Sequence, residues 1–300
     1  MDLRGVIGAP ALARRRIRVW AVGLAAVLTY LTIQAVWPGV RLVPSVGSDL
    51  APGTVMAVFL MALACEYVDS TLGMGYGTTL TPLLLLLGFA PLQVVPCVLL
   101  SEFVTGLSAA ILHHRDGNVD LLRDREARST ASSLCLLSAA GAVIAVAFAI
   151  RIPKVVLTAV IGSMIVTVGI ITLATAKRRL RYRRGHIIAL GTIAAFNKGL
   201  SGGGYGPLVT SGQVVSGLAP KKAVAVTSLA ESVTCIIGLT AYLVAGKRVD
   251  WALALPLTVG AMFSVPVATL TVKRIPERAF RLSVGLITCA LGALSLAKLL

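Results

Sequence analysis

Gly73-Met74-Gly75-Tyr76-Gly77 returns 129 positions later as Gly202-Gly203-Gly204-Tyr205-Gly206. The same shift holds without a gap from Gly73/Gly202 to Gly117/Gly246, with 14 identical pairs among 45 positions. The pairs include Tyr76/Tyr205, Thr81/Thr210, Gly88/Gly217, Pro91/Pro220, Glu102/Glu231 and Thr105/Thr234. One inserted residue later Val119-Asp120 matches Val249-Asp250, and Arg151-Ile152-Pro153 recurs as Arg274-Ile275-Pro276. The chain is one unit written twice.

Hydrophobic residues make up 57% of the 300 and charged residues 13%, with a mean hydropathy of +0.89. A soluble domain needs a more polar surface than that allows, so the reading is an all-α, polytopic membrane protein. The formal charge of +16 sits in short clusters between apolar runs, without the interleaved aromatics of a nucleic-acid surface, and reads as a topology signal. Cys65, Cys97, Cys135, Cys235 and Cys289 lie one per apolar run. That spacing suits small buried side chains and gives no metal or disulfide pattern. His113 and His114, beside Arg115 at a helix end, read as solvated interface residues.

The expected layout is a transmembrane helix and loop over 1–50, repeat 1 over 51–176, a cytoplasmic basic loop over 177–186, and repeat 2 over 187–300, all one integral membrane domain. Within the first part an uncleaved helix spans 19–37, with Trp20 and Trp37 as belt residues. Each repeat holds a segment ending at the glycines, a short piece (78–87 or 207–215), a Gly/Pro break, a long helix and two further spans. The short pieces cannot cross a ~30 Å hydrocarbon core, which needs about 20 helical residues. Five segments per repeat is an odd number, so with a cytoplasmic N-terminus the second repeat runs inverted. Assigned that way, 21 of the 28 Lys and Arg fall on the cytoplasmic side, as the positive-inside rule expects. The short pairs are either broken helices that cross or re-entrant hairpins, meeting near the bilayer midplane.

Inverted repeats with Gly-interrupted short segments in matching positions are the pattern of secondary transporters, whose sites lie where broken helices meet. Helices starting after each turn, at Thr78 and Pro207, would aim free N–H groups and a positive dipole end at an anion. The competing reading is that the glycines only allow close helix packing. Glu66, Asp69, Glu102, Glu231 and Lys198 are ionisable groups in apolar segments, where an unpaired charge costs ~3 kcal/mol. Asp69 and Lys198 occupy equivalent positions and either pair with each other, or Lys198 faces the substrate with Asn197 and Ser201 as nearby donors. Glu102 and Glu231, each with a threonine three residues on (Thr105, Thr234), either couple proton to anion movement or bind neighbouring helices as neutral acids.

The duplicated glycine turn, the Gly/Pro break, the Gly-containing turn before Val-Asp and the Arg-Ile-Pro opening of each last helix resemble the sulfite exporter TauE/SafE family of anion permeases, over residues from about 51 to 300. The resemblance implies a bacterial inner-membrane permease for sulfite, sulfoacetate or related sulfur-containing anions, with no bound cofactor. Its site would fall on Gly73, Gly75 and Gly77 and on Gly202, Gly203, Gly204 and Gly206. Tyr76 and Tyr205 depart from the family's frequent GxGGG. A phenol there narrows the gap, or offers a ring for the carbon part of an organosulfonate.

The expected function is therefore alternating-access export of a small sulfur-containing anion, coupled to protons through the glutamates. Substrate would bind at the two turns with Tyr76, Thr78, Lys198, Ser201 and Tyr205. Glu66, Asp69, Glu102, Thr105, Glu231 and Thr234 would couple or gate. The partners are the anion and the lipid bilayer, with no nucleic acid, and oligomeric state stays open. The alternative is a proton or cation pathway along the same carboxylates. An enzyme is least supported: no metal-ligand cluster, nucleophile with a base, or nucleotide loop appears.

Overall fold

The computed structural model describes residues 4–36, 50–175, 184–215 and 218–271, and beyond these only 282, 286, 289–294, 296 and 297. Most of the expected last span (279–296), the basic cluster 273–281, Gly217 and residues 177–183 lie outside the described residues. The described residues contain helices and no strand. The helices are α1 (Arg4–Val36), α2 (Pro52–Leu72), α3 (Tyr76–Leu86), α4 (Pro91–Arg115), α5 (Arg125–Ala149), α6 (Lys154–Thr175), α7 (Arg184–Ser201), α8 (Tyr205–Val215), α9 (Pro220–Val244) and α10 (Trp251–Thr271). Seven of them are long and apolar enough to cross a bilayer.

Local chemistry explains the boundaries. Pro52, Pro91 and Pro220 open α2, α4 and α9, where a missing N–H costs no intrahelical bond. Asp124 caps α5 by accepting from the Glu126 and Ala127 N–H groups at 3.1 and 3.2 Å. Gly73 (φ 68°) and Gly202 (φ 72°) end α2 and α7 in the left-handed region that a side chain resists. α1 starts at Arg4, well before the apolar run; within the added stretch Ala11 to Arg18 are mostly good helix formers. α3 and α8 start at Tyr76 and Tyr205, two residues earlier than Thr78 and Pro207, because the turn closes within the first three residues of each glycine motif.

α4 packs along α9 at the centre, α2 packs on α10, and α7 packs on α5; α5 also lies against α9, and α10 against α4. Small residues let these backbones approach. A Cβ on Gly106 would come 3.0 Å from the Ser228 carbonyl, on Gly141 2.9 Å from that of Thr192, and on Gly199 2.9 Å from that of Ala142. From Ile17 onward α1 is mostly exposed, and it touches the bundle through Trp20, edge-on to Phe263 at 5.5 Å.

At each end of the long central helices a polar tie joins the start of one to the cap of another. Gln93 Nε2 on α4 donates to Asp250 Oδ2, just before α10, at 2.6 Å. Lys222 on α9 pairs with Asp124, just before α5. The Lys222 ammonium, and after it the Ala127 N–H, hold the Asp124 carboxyl below its ordinary range. That tie is therefore complete above the ordinary carboxylate range and is lost as the pH falls through the depressed value.

α3 and α8, at 11 residues each, are about 16 Å long at 1.5 Å per residue, half a bilayer core. The start of each meets the glycine turn ahead of the other, backbone to backbone. A Cβ on Gly77 would run into the Gly202 carbonyl and lie 2.9 Å from Gly203 Cα, while one on Gly206 would run into the Gly73 carbonyl and lie 2.8 Å from Met74 Cα. Gly77→Ala and Gly206→Ala should each destabilise the fold by roughly 1–3 kcal/mol or more, lowering the thermal midpoint of the detergent-extracted protein. Gly53→Ala, in α2 with nothing within 4 Å of its Cβ position, should leave it unchanged or raise it. Equal behaviour of the three variants would contradict the turn-to-turn contact.

Candidate functional site

The turn contact brings three long helices' ionisable groups to one place. Lys198, near the end of α7, is fully buried, and its ammonium contacts the Glu102 carboxylate of α4 and lies 2.7 Å from Glu231 Oε1 of α9. It pairs with these two and not with Asp69. Asp69 instead accepts from the Tyr76 N–H at 3.3 Å, and Glu102 Oε1 accepts from the Gly77 N–H at 3.2 Å. The positive end of α3, expected to stand free for an anion, is thus met by two of the protein's own carboxylates, as a helix dipole favours.

The remaining expected residues fall into adjoining groups. Glu66 Oε1 accepts from Ser70 Oγ at 2.6 Å and Oε2 from Thr105 Oγ1 at 3.1 Å. Tyr76 and Tyr205 are fully buried, their hydroxyls 2.7 Å from Ser101 Oγ and 3.1 Å from Ser138 Oγ. Ser201 Oγ donates to Asn197 within its own turn and accepts from the Gly203 N–H at 3.1 Å. Gly204 lies directly beneath the Asn197 side-chain amide. Thr78 meets Gly203 backbone to backbone, and Gly75 holds φ 130° just ahead of α3. Thr234 donates its hydroxyl to the Ala230 carbonyl of its own helix at 2.8 Å and lies beside the Tyr205 side chain.

Sequence reasoning missed several partners. His113 is fully buried, not solvated: Nε2 lies 3.0 Å from the Ser70 carbonyl and Nδ1 3.0 Å from Asn118 Nδ2. A signal existed, since its counterpart 129 positions on is Tyr242, whose hydroxyl donates to the carbonyl of Gly199, the counterpart of Ser70. Thr210 Oγ1 donates to the Gly73 carbonyl at 2.7 Å and lies 2.8 Å from Thr227 Oγ1, which accepts from Gln213 Nε2 at 2.9 Å. Nothing in residue type alone singled out Thr227 or Gln213.

Chemically, the centre is one ammonium shared by two carboxylates in a region from which water is excluded. Each member is costly to bury alone and tolerable only while its partners stay. An incoming anion could satisfy the same ammonium and the same α3 N–H groups only by displacing a carboxylate.

The model of the sulfite exporter TauE/SafE family matches residues 57–295 of this chain. A protein described as "Probable membrane transporter protein YtnM", from Bacillus subtilis (strain 168), is 29% identical over 238 residues, covering 75% of this chain and 77% of that protein. No solved structure matches the chain.

Lys198→Met would leave Glu102 and Glu231 buried against each other, a loss of roughly 3–5 kcal/mol. It should reduce the yield of monodisperse protein in size-exclusion chromatography, and adding Glu102→Gln with Glu231→Gln should restore it. A single variant as well folded as the unsubstituted protein would contradict the pairing.

Proposed function

The chain belongs to the sulfite exporter TauE/SafE family of membrane transporters, and on that premise we propose that it exports a small sulfur-containing anion, such as sulfite, sulfoacetate or another organosulfonate, by alternating access. The two halves, 51–176 and 187–300, are inverted repeats that rock about the glycine turns. The observation that carries this reading is reciprocity. Gly77 meets Gly202 and Gly206 meets Gly73, and each contact becomes the other when 129 is added to one partner and removed from the other. A two-fold axis through the turns produces such exchange. The packing of α2 on α10 and of α7 on α5 supports the same axis. With the Lys/Arg asymmetry, it supports an inner-membrane protein with a cytoplasmic N-terminus.

The site is the turn pair with Lys198 between Glu102 and Glu231. An anion entering there competes with Glu102 for the ammonium and for the Gly77 N–H. Protonation of the displaced glutamate keeps the buried charge balanced, which ties proton binding to anion binding. Gly73, Gly75, Tyr76, Gly77 and Thr78 supply one side of the pocket, and Ser201, Gly202, Gly203, Gly204, Tyr205 and Gly206 the other. Glu66, Asp69, Thr105 and Thr234 are the coupling and gating groups around it. A proton or cation pathway remains the second reading, favoured by one fact: among the described residues four carboxyl groups, Glu66, Asp69, Glu102 and Glu231, are buried in the bundle against one buried lysine.

Purified protein in liposomes should move labelled sulfite or sulfoacetate, faster when the side that holds the anion is the more acidic one. Glu102→Gln or Glu231→Gln should abolish the pH dependence while anion exchange persists at a rate lowered by about tenfold, the scale of one charge-assisted hydrogen bond. Proton or cation current without any anion requirement would overturn this reading in favour of the second.

A further inference from the structure

Residues 129 apart are chemically alike around the turns but diverge beyond them, and the divergence has a direction. On the α8/α9 side, Thr210 Oγ1 donates to the Gly73 carbonyl, Thr227 Oγ1 lies 2.8 Å further out, and Gln213 Nε2 donates to Thr227 at 2.9 Å. All three are buried, and Gln213 Oε1 has no hydrogen-bond partner among the described residues. On the α3/α4 side the counterparts are Thr81, Val98 and Leu84. The Thr81 hydroxyl faces Gly202 but has no hydrogen-bond partner among the described residues, and Val98 and Leu84 are fully buried apolar side chains. One half therefore carries a continuous file of hydroxyl and amide groups where the other carries an aliphatic plug.

The two files point to opposite ends of the bundle. α8 runs from its turn toward the start of α9, the end where Lys222 pairs with Asp124. α3 runs toward the start of α4, the end where Gln93 is tied to Asp250. A second pair of counterparts diverges the same way. Ser70 and His113, with Asn118 beside them, give α2 and α4 a buried polar seam at the Asp124 end, where α7 and α9 have Gly199 and Tyr242 at the other.

We infer that the anion reaches the turns from the Lys222 end along Thr210, Thr227 and Gln213, and that Leu84 and Val98 form the seal it must pass on the other side. This rests on the transport reading above and adds its route. Hydroxyl and amide groups can replace part of an oxyanion's hydration shell during entry, whereas aliphatic side chains offer nothing in exchange for lost water. The polar file lets the Lys222 end admit solvent and anion after a small displacement of α8 from α9. The apolar end must open as a unit, which makes it the sharper barrier. By the distribution of Lys and Arg, the Lys222 end is the cytoplasmic one, the side from which an exporter loads.

The test is side-specific labelling with a membrane-impermeant, sulfonated methanethiosulfonate, applied to Gln213→Cys and Leu84→Cys proteins in sealed vesicles of each orientation, with the labelled peptide identified by mass so that native cysteines do not interfere. The expected result is labelling of Gln213→Cys from the Lys222 side, about tenfold or more faster than Leu84→Cys from either side. Equal rates, faster labelling of Leu84→Cys, or no labelling of Gln213→Cys above that of buried Cys97 would overturn the inference. A second variant, Thr227→Val with Gln213→Leu, copies the pair already accommodated at Val98 and Leu84. It should fold and lose anion flux by about tenfold, and undiminished flux would likewise overturn the route. Absence of anion flux in the unsubstituted protein would instead defeat the transport reading, and the labelling asymmetry would still be measurable.

Discussion

An ammonium that water cannot reach must find its counter-charge inside the fold, and Lys198 finds two. Glu102 and Glu231 approach it from α4 and α9, the two helices that run through the middle of the molecule. A lone lysine among apolar side chains would be expelled or neutralised. Shared between two carboxylates, it becomes a clamp across three helices, and it fixes their rotation because each side chain reaches the centre from only one face of its helix. The interaction is strong enough to order the interior, and it leaves one carboxylate in excess of the ammonium.

The glycine turns make that clamp geometrically possible. Gly77 donates to Glu102 and lies against Gly202, four residues after Lys198, so the crossing of the turns brings the two charges together, and Gly77, Gly203 and Gly206 leave no room for a Cβ there. The turns also deliver the N–H groups of Tyr76 and Gly77 to Asp69 and Glu102. Side-chain charge and backbone dipole are thus satisfied by the same few carboxylates. A change at any one of them alters the balance felt by the others, which is what coupling between a proton and an anion requires.

Much of this was legible in the residues. The 129-residue repeat located both turns, both glutamates and the lysine, and Gly/Pro punctuation gave helix boundaries to within a few residues. The partners of the lysine were not legible. Equivalence of Asp69 and Lys198 suggested a mutual pair, but equivalence only puts the two at matching points of the two repeats. Which carboxylate the ammonium reaches depends on the rotation of α7 about its own length, and that is set by packing on α5. Asp69 is drawn away by the free N–H of Tyr76, a group that exists only once the turn has its three-dimensional form. His113 was misread for a related reason: beside Arg115 it looks like an interfacial residue, yet it faces the carbonyl of Ser70 on α2. The Thr210, Thr227 and Gln213 file was invisible because hydroxyl and amide residues are common in membrane helices and only their alignment gives them meaning.

The clamp itself can be measured in lipid. Dipolar dephasing in solid-state NMR between lysine 15Nζ and glutamate 13Cδ, with only those two residue types labelled, reports any lysine in contact with glutamate. The account predicts a strongly dephased buried lysine signal that vanishes with Lys198→Met, weakens with Glu102→Gln or Glu231→Gln singly, and is unaffected by Asp69→Asn. A signal that survives both glutamate substitutions together, or that responds to Asp69→Asn alone, would contradict it.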